Sequence, residues 1–295
     1  MFGEVVSLNM NKLITREKNM SRKSFQLVLI CLLTTAFAPF AKAGTINVLS
    51  LDASRSLVSF TSNSGYSVLR SDLLNPSKFG PDGIVKEQII FLPAVTGITE
   101  DTLASADIFF WLASSAKPSN AELELLHSFV SAGGGLFVFG NSINDFAATF
   151  NAMPGGIHGG AWLNATITDG FSPIATGPFG SLSPGATFQV PYHGYLADVG
   201  PNGKAAINDG GPGVLGATFE VGSGRAVLIG DEEIFLSSYP GVPAAPLLSE
   251  TSRSIFLNSV AYLATPAPIP EPATTLLLST GIASLACTKL RRRKK

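Results

Sequence analysis

Residues 106–142 read ADIFFWLASSAKPSNAELELLHSFVSAGGGLFVFGNS, and this stretch decides the fold class. Ile108-Phe109-Phe110-Trp111-Leu112 is a continuous apolar run, as expected of a strand covered on both faces. Pro118-Ser119-Asn120-Ala121-Glu122 opens a helix, with Ser119 as N-cap and Glu122 at the reciprocal capping-box position. Leu123, Leu126, Phe129 and Val130 then recur at helical spacing. Gly133-Gly134-Gly135 breaks the helix, and Leu136-Phe137-Val138-Phe139 is a second buried strand. Strand, capped helix, glycine break and strand make a βαβ unit with parallel strands and a right-handed crossover. The second strand should lie centrally in its sheet.

The alternation continues outward. Residues 46–51 predict a strand, followed by a helix over 53–63 with Leu57, Val58 and Phe60 inward. Gly65 ends that helix, and Tyr66-Ser67-Val68-Leu69 predicts a further strand. Asn75-Pro76, Gly80-Pro81 and Asp82-Gly83 are turn signals. Residues 214–220 and 225–229 predict two strands joined across Gly222-Ser223-Gly224. A helix over 252–263 closes the unit, with Ile255, Phe256, Val260 and Leu263 on one face. Residues 153–213 are dense in Gly and Pro, with short strands at 161–167 and 186–190; they read as an irregular insertion or as loops at the sheet edge. No internal repeat is present. The expectation for residues 44–265 is an α/β fold, a three-layer sandwich around a mostly parallel sheet.

Both ends of the chain carry a different kind of signal. Residues 25–40 are apolar behind Arg22 and Lys23 and close on Ala41-Lys42-Ala43 before Gly44. Basic, apolar and A-x-A segments in that order read as a signal peptide over residues 1–43, cleaved by signal peptidase between Ala43 and Gly44. Met20 offers a second start. At the other end a Pro-rich spacer, 266–272, ends in Pro270-Glu271-Pro272. An apolar run follows over 273–287, then Lys289-Leu290 and Arg291-Arg292-Arg293-Lys294-Lys295. The prolines refuse helix before the apolar run. The basic cluster acts as a stop-transfer that stays on the cytoplasmic side. Residues 273–295 therefore predict a transmembrane segment with a basic tail.

This tail closely resembles the PEP-CTERM sorting signal of bacterial surface proteins in motif, apolar run, basic end and C-terminal position. The resemblance implies a Gram-negative host that makes exopolysaccharide and an exosortase that processes the chain near Pro270-Glu271-Pro272. It further implies transient anchoring in the inner membrane, then a place in the cell envelope, at the cell surface or in the extracellular matrix. An exopolysaccharide is the matrix partner it suggests. The competing reading is an ordinary C-terminal anchor. Against it, the run is short and rich in Thr, Ser and Gly beside the roughly 20 apolar residues of a usual span.

Charge separates body from ends. The whole chain has 20 basic and 21 acidic residues. Twelve of the basic residues lie in the leader and the tail, so residues 44 onward carry eight Lys and Arg in the body against 19 Asp and Glu, about −11 before the tail is counted. A body this acidic repels nucleic acid and anionic lipid. Its scattered charge also serves plain solubility. Cys31 and Cys287 both fall outside the body. The mature domain thus has no disulfide, thiolate nucleophile or Cys metal site.

Residues 106–142 and 222–263 resemble the class I glutamine amidotransferase-like fold, whose sheet is flavodoxin-like. In that superfamily the elbow after a central strand carries a catalytic Cys, with a His downstream. The matching elbow here is Gly140-Asn141-Ser142, without Cys, so the amidotransferase chemistry does not carry over. Ser142 lacks the second glycine of a G-x-S-x-G elbow, and Asn141 or Ser142 equally reads as a cap for a helix starting near Ile143.

His127 lies within the capped helix beside its apolar stripe. His158, in Gly155-Gly156-Ile157-His158-Gly159-Gly160, and His193, in Pro191-Tyr192-His193-Gly194-Tyr195, read as loop histidines. Either is a candidate for a small polar ligand or sugar ring, or a loop residue without a partner. No H-x-x-x-H or H-E-x-x-H spacing supports zinc, and no metal or cofactor is expected. Asp231-Glu232-Glu233 follows a strand, at the edge where α/β sheets take ligands. It reads as a carboxylate cluster for a hard cation such as Ca²⁺, or as Asp231 capping the helix that follows with the two glutamates favouring its N-terminus. The expectation is an exported, non-catalytic binding or structural domain. The alternative is a hydrolase using Ser142 or Asp231 with His158 or His193.

Overall fold

A computed structural model describes residues 44–56, 59–112, 117–159, 162–238 and 248–265. The leader with Ala41 and Ala43, the tail with Pro270, Glu271, Pro272 and the stop-transfer cluster, and Leu57 and Val58 lie outside the described residues. Among the described residues no helix is long and apolar enough to cross a membrane.

The strands are β1 (Thr45–Ser50), β2 (Gln88–Phe91), β3 (Ile108–Leu112), β4 (Gly135–Phe139), β5 (Met153–His158), β6 (Leu163–Ile167), β7 (Thr176–Gly177), β8 (Gly180–Ser181), β9 (Thr187–Val190), β10 (His193–Asp198), β11 (Gly203–Asn208), β12 (Val214–Val221) and β13 (Gly224–Ile229). The helices are α1 (Ser67–Leu73), α2 (Glu100–Ala104), α3 (Asn120–Ser131), α4 (Ile143–Phe146) and α5 (Glu250–Ala264). Eleven strands form one sheet, with β2-β1-β3-β4-β13 parallel and β12-β11-β6-β9 continuing it antiparallel. Strands β10 and β5 form an antiparallel pair attached to β12.

The parallel half has strand order 2-1-3-4-5, one of the two common doubly wound orders. Its two faces are covered by different helices. Successive residues of a strand point to opposite faces, so Ile108, Phe110 and Leu112 join Phe137 and Phe139 in one core, with Leu69 and Leu73 of α1 and Ile255, Phe256 and Val260 of α5. Phe109 and Trp111 join Leu136 and Val138 in the other, with Leu103 of α2, Leu126 and Val130 of α3 and Phe146 of α4. This is why IFFWL and LFVF carry no polar residue: neither face meets water. Each such side chain adds about 1.5–3 kcal/mol of burial free energy.

The βαβ unit forms as expected. Ser119 accepts the Glu122 N–H at 3.3 Å and Glu122 accepts the Ser119 N–H at 2.9 Å. Glu122 also holds the Arg55 guanidinium bidentately at 2.7 and 2.8 Å. Ser119→Ala is expected to lower stability by about 1 kcal/mol, read as a shift in urea midpoint at unchanged slope.

Several expectations are corrected. Residues 53–56 and 59–63 form turns rather than a helix. Residues 67–69 are helical rather than extended: Tyr66, Leu69 and Leu73 are fully buried while Val68 is 36% exposed. That spacing is helical, whereas a strand would bury Tyr66 and Val68 together. The sheet is mixed rather than mostly parallel, because the chain after α4 returns through strands instead of crossover helices. Rather than an irregular insertion, residues 153–213 hold β5, β6, β9, β10 and β11, which extend the sheet edge, and the separate β7–β8 pair; the strands read at 161–167 and 186–190 correspond to β6 and β9. Gly222, at φ 59°, turns β12 into β13, and a Cβ there would sit 2.3 Å from the Ser131 carbonyl oxygen. Strand β2 escaped the sequence reading because only Ile89 of its four residues is buried. Helix α2 escaped it because five residues show no period.

Candidate functional site

Phe139 at the end of β4 pairs with Ile229 at the end of β13. The loops Gly140-Asn141-Ser142 and Gly230-Asp231-Glu232 therefore leave the sheet side by side, at the edge where ligands bind in doubly wound folds. The start of β10 is laid directly on both. The Gly194 N–H donates to the Gly230 carbonyl at 2.8 Å. A Cβ on Gly230 would come within 1.8 Å of the Gly194 oxygen, and one on Gly194 within 2.9 Å of the Asn141 oxygen. Only glycine at both positions permits this approach, and it fixes His193 against the edge.

His193 is paired directly across from His158 in the β10–β5 ribbon. Opposed residues of an antiparallel pair point to one face, and the two imidazoles meet edge to face at 5.4 Å. Tyr195 stacks on His158 at 4.3 Å. Asn144 of α4 fastens β5 by donating to the Gly156 carbonyl at 2.7 Å and accepting the Gly155 N–H at 3.0 Å. The two histidines are thus strand residues, not the loop residues the glycine-rich sequence suggested.

Asp209 completes the group. It follows β11, which pairs with β12 near Val214, the residue that also pairs with Leu196 of β10. The Gly211 and Gly213 N–H groups donate to Asp209 Oδ1 at 2.8 and 3.0 Å. This fixes the carboxylate and leaves Oδ2 facing the histidines, 3.1 Å from His158 Nδ1 and 3.9 Å from His193 Nε2. Asp209 and His193 are fully buried, and the His158 side chain is 33% exposed. Neither Asp209 Oδ2, His158 Nδ1 nor His193 Nε2 has a hydrogen-bond partner, so the 3.1 Å approach is close but misaligned.

Burial pushes the His193 imidazole down, against the pull of the Pro191 carbonyl and Asp209, which favours the neutral ring. Its Nδ1 lies 3.3 Å from the Pro191 carbonyl oxygen. A neutral ring facing a carbonyl carries its proton on that nitrogen. Nε2 is then left with a lone pair, opposite a carboxylate oxygen.

The other candidates separate from this trio. Ser142 stands at the N-cap of α4, but its hydroxyl makes no capping bond, and Ser142 Oγ and Asn141 Oδ1 are buried without partners. No histidine hydrogen-bonds Ser142 among the described residues. Asp231 Oδ1 accepts the Glu233 N–H at 2.6 Å in a local turn that leads into a single 3₁₀ turn, Glu233–Phe235, rather than a helix. Burial pushes Asp231 well above the usual carboxylate range, with Glu232 adding to it, and pushes Glu232 up to about 7. Burial also pushes Glu233 up, so the two glutamates are not the solvated charges at a helix N-terminus that the sequence suggested, and the element that follows is a 3₁₀ turn. His127 sits half-buried on α3.

Sequence reasoning missed Asp209 altogether. Asn208-Asp209-Gly210-Gly211 reads as an ordinary turn, and ligand spacing rules cannot see residues brought together by strand pairing.

No family model and no curated protein matches the sequence. Among solved structures, the mmIFT52 N-terminal domain is similar, with a TM-score of 0.54 at 18% identity, over 74% of this chain and 97% of that one. A putative ThuA-like protein from Bacteroides uniformis gives 0.47 at 9% identity, over 77% and 94%. A putative GMP synthase component from Thermoplasma acidophilum gives 0.44 at 13%, over 76% and 96%. At these identities the likeness is one of fold alone, a mixed α/β sandwich.

Proposed function

We propose that this chain is an exported, exosortase-sorted protein of the cell envelope or extracellular matrix whose α/β body is a non-catalytic binding or structural module. The observation that carries this reading is the tail: Pro270-Glu271-Pro272, the apolar run 273–287 and Arg291 to Lys295, in that order. Leader and tail are independent signals that require one topology. The leader sends Gly44 outward, the basic cluster stays inside, and the acidic tripeptide then lies at the outward face of the membrane. The resemblance to PEP-CTERM proteins implies exosortase as the processing partner and an exopolysaccharide as the surface partner.

The body supports a non-catalytic role by what its elbow contains. The amidotransferase-like position has serine in place of cysteine, and Ser142 Oγ has no base within hydrogen-bond reach among the described residues. A hydrolase using Ser142 or Asp231 requires such a pair.

The test is mass spectrometry of the mature protein. It should start at Gly44 and end close to Glu271. Glu271→Ala, or deletion of the exosortase, should leave the tail attached and the protein in the membrane fraction. A mature protein that keeps residues 276–295 in a host with active exosortase would overturn sorting and leave a plain membrane anchor.

A further inference from the structure

We infer that His158, His193 and Asp209 form a three-ligand site for a divalent first-row transition metal of the zinc class, with a fourth position open toward solvent. This goes beyond the sorting reading and stands independently of it.

Geometry is the first argument. One ligand atom from each residue lies within 4.8 Å of the others. Ligands at ~2.0–2.1 Å from a tetrahedral ion are roughly 3.3 Å apart. The measured 3.1 and 3.9 Å to Asp209 Oδ2 bracket that separation. The second argument is the unmet valence of the trio. Three ligand-type atoms converge with no hydrogen bond among them, two of them on fully buried residues. Buried polar atoms left without partners are unfavourable, and a cation held between these three satisfies all of them at once.

The third argument is the surrounding shell, which already has the form metal ligands need. Gly211 and Gly213 hold the far oxygen of Asp209, and the Pro191 carbonyl faces the far nitrogen of His193. Tyr195 covers the His158 ring. Two imidazoles and one carboxylate suit a borderline ion and disfavour Ca²⁺ or Mg²⁺, which prefer all-oxygen sites. Three protein ligands with one open position is also the form of sites that bind a further group on the metal, such as water, a carboxylate or a sugar hydroxyl.

The experiment uses the purified full-length chain in detergent, without a histidine tag, stripped with chelator and titrated with Zn²⁺ and with Co²⁺ as a spectroscopic probe. One ion per chain is expected, with the intense visible bands of four-coordinate Co²⁺ and a rise in melting temperature on metal addition. Asp209→Asn and His158→Ala should each weaken binding by roughly 100-fold or more; His158 is partly exposed, so its variant remains folded if the buried positions do not tolerate change. His127→Ala should bind like the parent. A stoichiometry near zero, or binding unaltered in folded His158→Ala, would overturn the site. Ca²⁺ binding that outcompetes Zn²⁺ would overturn the assignment of the ion.

Discussion

Replacing Phe256 with alanine is expected to lower the stability of the body by about 3–5 kcal/mol. Phe256 projects from α5 into a group of aromatic rings supplied by separate parts of the chain. Its ring lies 5.6 Å from Phe60, 6.0 Å from Phe110, 5.3 Å from Phe137, 5.9 Å from Phe139 and 5.2 Å from Phe235. Truncation removes the transfer free energy of the ring and leaves a cavity that rings fixed on β3 and β4 cannot collapse into. The loss also falls on the helix that closes one face of the sheet. Urea denaturation should show a lower midpoint at unchanged slope, and Phe256→Leu should recover most of the difference. A loss below about 1 kcal/mol for the alanine variant would mean that α5 does not pack as described.

That cluster marks what the sequence made legible. Wherever a strand is buried on both faces, or a helix carries a cap and a period, the reading and the fold agree: β3, α3, β4, β12, β13 and α5 are all of this kind. The reading fails where tertiary contacts override a weak local signal. Tyr66, Leu69 and Leu73 spell a helix only once Leu73 is counted with the others, and the turn signals that follow at Asn75-Pro76 conceal its end. The site was half legible. His158 and His193 were visible as candidates because histidines are few, and Asn141, Ser142, Asp231 and Glu232 because they follow strands at the expected edge. Their relationship was not visible. It depends on a cross-strand register within a Gly-rich segment that reads as loop, and on Asp209 in a turn whose composition is that of any turn.

Glu232 yields the second large expected effect, a pH dependence of stability. Its carboxyl is pushed up from 4.5 to about 7 by burial, with Oε2 left without a partner. In the unfolded chain the proton leaves near the ordinary value, whereas in the folded chain it stays until about 7. Between these two values the unfolded state binds fewer protons, so this group's contribution to stability falls as pH rises. At about 1.4 kcal/mol per unit the loss is about 3 kcal/mol across that window, complete above it and absent below it. Asp231 is shifted in the same direction and adds to the trend.

Two other groups act oppositely. His193, held down by burial, makes stability rise with pH until the unfolded histidine is neutral. Glu122, held at about 2 chiefly by its bonds to Arg55, contributes stability that is lost as pH falls from 4.5 toward that value. The wild-type curve therefore sums opposing slopes, and the informative quantity is the difference between Glu232→Gln and wild type, in which the His193 and Glu122 terms cancel. Glutamine keeps the shape of the protonated acid and cannot ionise. The variant should match wild type near pH 4.5 and exceed it by about 3 kcal/mol at pH 7 and above, measured by urea midpoints across the range. A difference that stays flat with pH would mean that Glu232 ionises in the folded protein as it does in the unfolded one, and that the edge beyond β13 is open to water.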